Sequence, residues 1–243
     1  SRKKKALVLW LINTFVKKLL VWYHSTCDAE TIYIRDNFGA EAKVIQIPNY
    51  MELPERVMVP KEKYLFFIGR IDPKKAIENL IEALAQSEVF KQSEFSLKIA
   101  GDYNNPYGRK LQAQVTAAGL DDKDAYLGHR SGREKQELLA AAHCLVMPSH
   151  TENFGIVVTE ALAQGTPAIA STGTPWASLE ENNAGYWVDN DPASLLPAIE
   201  RVLTLPQSEL EIMNQNSLQL ATEGFSIHAK IGEWETAYQQ LLQ

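Results

Sequence analysis

From residue 64 onward the hydrophobic positions fall into short apolar runs, separated by stretches in which apolar residues return every three or four positions. The runs at 64–68, 95–100, 124–127, 144–147, 167–171 and 185–188 read as strands. Helices are predicted over 73–90, 107–118, 132–142 and 155–164, near 176–181, and over 193–203, 206–222 and 227–242. This alternation predicts an α/β fold, a Rossmann-like parallel sheet with helices on both faces. In such sheets ligands bind beyond the carboxyl ends of the strands, so the residues that follow each strand are the ones to inspect.

The first quarter of the chain has a different pattern. Residues 6–37 read as helical, with apolar residues on more than one face, and 43–47 alternate as a strand would. Pro48, Pro54 and Pro60 then punctuate a stretch of little periodicity. The expected organisation is a terminal segment at 1–47, a linker at 48–63, a sheet domain at 64–225 and a closing helix at 226–243.

Charge sharpens this division. The net charge is −6, yet residues 1–20 hold six basic side chains and no acidic one, leaving 18 basic and 30 acidic residues beyond them. An acidic body argues against nucleic acid as a partner. The apolar run at 6–16 is too short to span a bilayer, and Lys17-Lys18 stands where a signal peptide would need small residues. Two readings stay open for it: peripheral contact with an anionic membrane surface, or a helix packed against another part of the protein. Cys27 and Cys144 lie far apart and outside any metal-binding spacing, so a reducing, cytoplasmic setting is expected.

Candidate chemistry begins after the first strand of the sheet domain, at Gly69-Arg70-Ile71-Asp72-Pro73-Lys74-Lys75. Asp72 and Pro73 make a helix start, with an N-cap and a proline at the first helical position. Lys74 and Lys75 then oppose the helix dipole, a conflict that a bound anion would remove. Arg70, at the strand's carboxyl end, has the fork geometry to hold a phosphate. The alternative is two solvated lysines and a structural arginine.

A second constellation runs from Pro148 to Pro167, where strand, loop, helix and stop follow in order. Gly165 and Pro167 end the helix. Amides near Phe154, Gly155 and Ile156 form a ready anion or hydroxyl site, which Gly155 lets a ligand approach closely. Glu160 lies on a mostly apolar helix and is a candidate buried carboxylate, whose two acceptor oxygens suit vicinal sugar hydroxyls. Glu160 and Gln164 forming a narrow solvated stripe, with Glu152 merely favouring the helix start, is the other reading.

Glu152 and Glu160 with Phe154-Gly155 between them and Gly165-x-Pro167 after resemble the signature of family 4 glycosyltransferases of the two-domain GT-B type. The resemblance extends to Gly69-Arg70 with Lys75, to Ile99-Ala100-Gly101-Asp102, to Leu127-Gly128-His129 and to Pro148-Ser149, and covers most of residues 43–203. It implies a retaining enzyme that moves a sugar from a UDP- or GDP-sugar donor to a glycan or lipid-linked acceptor, with no cofactor beyond the donor. By the same resemblance Arg70 and Lys75 bind and stabilise the leaving diphosphate, and Glu160 holds the ribose. Glu152, Asn153, Phe154, Gly155 and Ile156 face the donor, and Gly128, His129 and Arg130 border the nucleobase. No metal-binding Asp-x-Asp occurs in a matching place.

The departures from the family pattern are specific. Lys75-Ala76 stands where Lys-Gly is frequent, and Pro48-Asn49-Tyr50 where Pro-Asn-Gly is usual. Gly173-Thr174-Pro175-Trp176 replaces a Gly-Gly-x-x-Glu segment. Similar Thr-Pro-Trp segments occur in enzymes of bacterial surface polysaccharide, which suggests that pathway and the inner face of the membrane. Residues 1–47 resemble the end of a first, acceptor domain, and the last helix (Trp234, Tyr238, Leu241) the one that crosses back to it. A truncated chain is therefore expected. The alternative in another class is a non-catalytic nucleotide-sugar-binding module. A dinucleotide-binding dehydrogenase is disfavoured because no GxGxxG follows a strand.

Overall fold

The computed structural model describes residues 2–16 and 21–242. Lys17 and Lys18, part of the basic segment noted above, lie outside the described residues. The chain divides into two compact units, Ser1–Met51 with Ile227–Gln243, and Glu52–Ser226.

The first unit opens with helix α1 (Arg2–Val16), on which Leu7, Val8, Trp10, Leu11, Ile12 and Phe15 are exposed. A strand, β1 (Trp22–Ser25), follows, then helix α2 (Asp28–Phe38) and strand β2 (Lys43–Gln46), which pairs in parallel with β1. The expected continuous helix over 6–37 is thus corrected. Trp22 and Tyr23 are aromatic residues that favour a pleated surface, and the pairing with β2, distant in sequence, outweighs local helical periodicity. Among the described residues no helix is long and apolar enough to cross a membrane.

The second unit carries the sheet. Its strands are β3 (Tyr64–Ile68), β4 (Ser96–Ala100), β5 (Asp124–Gly128), β6 (Cys144–Met147), β7 (Ala168–Ser171) and β8 (Gly185–Val188). All are parallel, in the order β5-β4-β3-β6-β7-β8. The chain enters at β3, builds outward to β5, and returns to β6 on the other side of β3. The strand order therefore reverses between β3 and β6, where a crevice opens at the carboxyl ends.

Both faces of the sheet are buried. Leu65 and Phe67 of β3 point into one core, Tyr64 and Phe66 into the other, as the two-residue period of a strand requires. The first core takes helices α3 (Ile77–Gln86), α4 (Glu88–Gln92), α5 (Pro106–Ala117) and, later in the chain, α9 (Pro192–Thr204). The second takes α6 (Gly132–Ala141), α7 (Ile156–Ala163) and α8 (Ser178–Glu181). Helix α10 (Gln207–Leu220) continues into a wider, π-type turn at Ala221–Phe225, and α11 (Ile227–Leu241) belongs to the first unit.

The predicted helix over 73–90 is three pieces. Asp72 caps a single tight turn, Pro73–Lys75, by accepting from the Lys74 amide at 2.9 Å. Ala76 then takes a left-handed conformation, with φ 48°, before α3 begins. An L-residue spends about 1–2 kcal/mol in that region, which accounts physically for a glycine being frequent there in similar sequences. Ser87 ends α3 and caps α4, accepting from the Phe90 amide.

Candidate active-site cleft

Two adjoining clefts open at the carboxyl ends of β3, β4 and β6, both within the second unit. The larger, about 650 Å³, is lined by Gly69, Arg70, Gly101, His129, Arg130, Lys135, Ile156 and Glu160 among others. The smaller, about 520 Å³, is lined by Lys74, Lys75, Glu152, Asn153, Phe154 and Gly155. Ile68, Gly69, Arg70, Ile156 and Val157 line both and form the ridge between them. These volumes lie in the range of small-molecule sites. The fold thus brings together eleven of the twelve residues singled out from sequence. Gly128, at the end of β5 with φ 72°, lines neither cleft.

The strand tips under the larger cleft are stitched together. The Gly69 amide donates to the Ala100 carbonyl at 3.0 Å, and the Gly101 amide to the Gly128 carbonyl at 2.8 Å. Glycine is required at 101 by close approach, since a Cβ would stand 2.2 Å from the Gly69 carbonyl oxygen. Gly155 is required for both reasons. Its φ is 81°, and a Cβ would lie 2.8 Å from the Met147 methyl and 3.3 Å from the Trp176 indole nitrogen.

The charges are paired across the clefts. Lys75 forms an ion pair with Glu152, both side chains largely buried, and Ser149 Oγ donates to the same carboxylate at 3.0 Å. Glu160 is 8% exposed, and its Oε1 accepts from Lys135 Nζ at 2.5 Å. That burial decides between the two readings of Glu160: it is not part of a solvated stripe, and Gln164 is also buried, donating to the Glu55 carbonyl at 3.0 Å. Arg70 has 81% of its side chain exposed at the rim, with Nε 3.8 Å from Asp72 Oδ2, so its remaining donors are available. Arg130 pairs with Glu134 at 2.9 Å.

Sequence reasoning missed three residues that the structure places here. Lys135 lies on α6, five residues beyond Arg130. Its signal was a cation in a helix's first turn, the same signal used for Lys75. Ser149 was noted only as part of a motif. Trp176 was noted only as a departure, yet its buried indole N–H donates to the Phe154 carbonyl at 2.5 Å and its ring stacks on Phe154.

A parallel sheet flanked by helices on both faces, with a crevice at its switch point, defines a Rossmann-like α/β fold, whose ligands bind at that point. The profile of the family described as "Glycosyl transferases group 1" matches residues 52–219, and the chain belongs to that family. It is 34% identical over 146 residues to an uncharacterized glycosyltransferase, MJ1607, of Methanocaldococcus jannaschii, covering 59% of this chain and 36% of that protein. It is 29% identical over 174 residues to the O-antigen chain mannosyltransferase RfbU of Salmonella typhimurium, covering 72% of this chain and 47% of that protein. The chain therefore spans less than half of the length of these relatives. Among solved structures, Anabaena Alr3699/HepE in complex with UDP-glucose matches with a TM-score of 0.77 at 19% identity, over 98% of this chain and 70% of that one.

Proposed function

We propose that this chain is the nucleotide-sugar-binding part of a retaining GT-B glycosyltransferase that acts in bacterial surface polysaccharide synthesis. The observation that carries the reading is that Arg70 and Glu160, far apart in sequence, line one cleft beside a second that holds Lys75 and Glu152. Family membership supports it, as do a fold neighbour solved with UDP-glucose and a relative named for O-antigen mannosyl transfer. In this reading the first unit is the closing part of an acceptor domain.

Each residue then has a physical task. Arg70 and Lys75 hold the diphosphate of a UDP- or GDP-sugar, Arg70 as a fork and Lys75 as a point charge. Glu160 accepts from the ribose hydroxyls. His129 and Arg130 border the base, and Glu152 with Asn153, Phe154, Gly155 and Ile156 faces the sugar. As the anomeric carbon–oxygen bond loosens, negative charge grows on the diphosphate, and cations fixed beforehand stabilise that charge more than the ground state. Glu152 shares Lys75 with the incoming diphosphate, and their ion pair holds the lysine side chain in place before the donor arrives. The acceptor hydroxyl, on a glycan or lipid-linked sugar, attacks from the side of the leaving group and passes its proton to the departing diphosphate oxygen, so the product keeps the donor's anomeric configuration.

Calorimetric titration of UDP and GDP tests the reading. Wild type is expected to bind one of them, and Arg70→Ala and Lys75→Ala to weaken that binding by about ten-fold or more each, as loss of a charge-assisted hydrogen bond does. Unchanged affinity in both variants removes the diphosphate assignment.

A further inference from the structure

Lys135 occupies a position that its own helix disfavours. It lies in the first turn of α6, where the positive end of the helix repels a cation. Its side chain is nevertheless mostly buried, 24% exposed, and lines the larger cleft rather than reaching solvent. The ammonium donates one hydrogen bond, to Glu160 Oε1 across the α6–α7 packing. An ammonium has three donors, and among the described residues no other acceptor meets Nζ. Glu160 Oε2 likewise accepts nothing among the described residues.

The pair therefore presents, side by side in one cleft, an acceptor oxygen of a carboxylate and spare donors of an ammonium. A carboxylate alone can only accept, so it satisfies the hydroxyl protons of a sugar and leaves the hydroxyl oxygens unserved. A vicinal diol has both needs. We propose that Lys135 is a second ribose-binding residue: Glu160 Oε2 accepts from one hydroxyl of the donor's ribose while Lys135 Nζ donates to the oxygen of its neighbour. This rests on the nucleotide-sugar reading above, and it adds a consequence that Glu160 alone does not supply. Removing one hydroxyl would leave a desolvated charge unserved, so the site discriminates against deoxyribonucleotides, and Lys135 carries part of that discrimination.

The experiment is a calorimetric cycle on the full chain. UDP, GDP and their 2′-deoxy and 3′-deoxy counterparts are titrated into wild type, Lys135→Ala and Lys135→Arg, with thermal melts confirming that each is folded. Wild type is expected to bind the ribonucleotide about ten-fold more tightly than at least one deoxy form. Lys135→Ala is expected to lose about ten-fold for the ribonucleotide and less than about three-fold for that deoxy form, so the discrimination collapses. Lys135→Arg, which keeps the charge and the donors, is expected to restore most of it. Should the alanine variant fail to fold, Lys135→Gln, which keeps a donor without the charge, carries the same comparison. Equal losses for ribo and deoxy forms would overturn the assignment and leave Lys135 as general charge or packing, with the function above intact. Wild type that treats ribo and deoxy forms alike also overturns it. Wild type that binds neither UDP nor GDP overturns the nucleotide-sugar reading itself, and this inference with it.

Discussion

At Gly101 a single hydrogen decides whether the cleft has a floor. Its φ of 159° is one that L-residues rarely adopt, and close contact adds to the requirement for glycine: the site of a Cβ is 2.2 Å from a backbone oxygen of Gly69. A side-chain neighbour could rotate away, but a carbonyl at the tip of a central strand cannot. Gly101→Ala is expected to destabilise the protein by about 2–3 kcal/mol, the cost of overpacking, and to weaken UDP binding because Gly69 and Gly101 both line the larger cleft. Urea denaturation with parallel titration checks both, and a stability change near zero would show that the two strand tips part freely. At this scale the sequence was informative where residue chemistry clashed with local structure, as for Lys75 and for a carboxylate on the apolar helix at Glu160. It was silent on partners. Nothing local says that Lys75 meets Glu152, or that Glu160 meets Lys135, since these pairs exist only once α6, α7 and the β3 loop share one end of the sheet.

Elements were legible in proportion to how far one period governed them. The strands of the sheet are buried on both faces, so they read as continuous apolar runs such as Tyr64–Ile68 and Cys144–Met147, and their positions were clear. The break at Ala76 was not, because Lys-Ala-Ile carries no helix-breaking residue and the left-handed turn is imposed by closure onto the sheet. Strand β1 was lost in the same way, its pairing with β2 being invisible to a local window. The segment around Trp176 shows how an element can serve a site it does not line. It lies between β7 and α8, and its indole packs on Phe154 and on Phe225 of the π-type turn while fixing the Phe154 carbonyl. Trp176→Phe keeps the aromatic packing and deletes the donor, leaving a mostly buried carbonyl unpaired at a cost of about 1–3 kcal/mol. Because the loop it holds is the one proposed to face the sugar, the variant is expected to lose more affinity for UDP-glucose than for UDP. Equal losses, or none, would show that the loop keeps its shape without the indole.

At the scale of the whole sheet unit, the two ends of the strands have different electrostatic characters. The proposed chemistry gathers at the carboxyl ends, while two awkward charges sit at the amino ends. Asp124, which opens β5, has its carboxyl pushed up to about 7 by burial and by the neighbouring Asp121 charge. Lys61 is pushed down to about 7, chiefly by burial, with its ammonium donating to the Ala142 carbonyl at 2.9 Å and to Thr166 Oγ1. The signs follow from linkage. The folded Asp124 holds its proton where an unfolded aspartate, near 3.8, does not, so the stability it contributes is present below about pH 4 and is lost as pH rises through 7. Lys61 has the opposite history: its folded form gives up a proton that the unfolded lysine keeps until 10.5, so stability grows as pH climbs from 7 toward 10. Buried His143, pushed down by burial, adds a rise of its own on the acid side, so differences between variants are the clean readout. The advantage of Asp124→Asn over wild type is expected to grow from pH 5 to pH 8, reaching on the order of 1 kcal/mol once solvent screening at a partly exposed site is allowed for. The stability of Lys61→Met relative to wild type is expected to fall from pH 7 to pH 10. Urea denaturation at pH 5, 7, 8 and 10 measures both slopes. Since these groups lie at the amino ends of the strands, UDP affinity in either variant should follow wild type at every pH at which the protein stays folded. A pH-dependent loss of affinity in Asp124→Asn would mean that the two ends of the sheet are coupled.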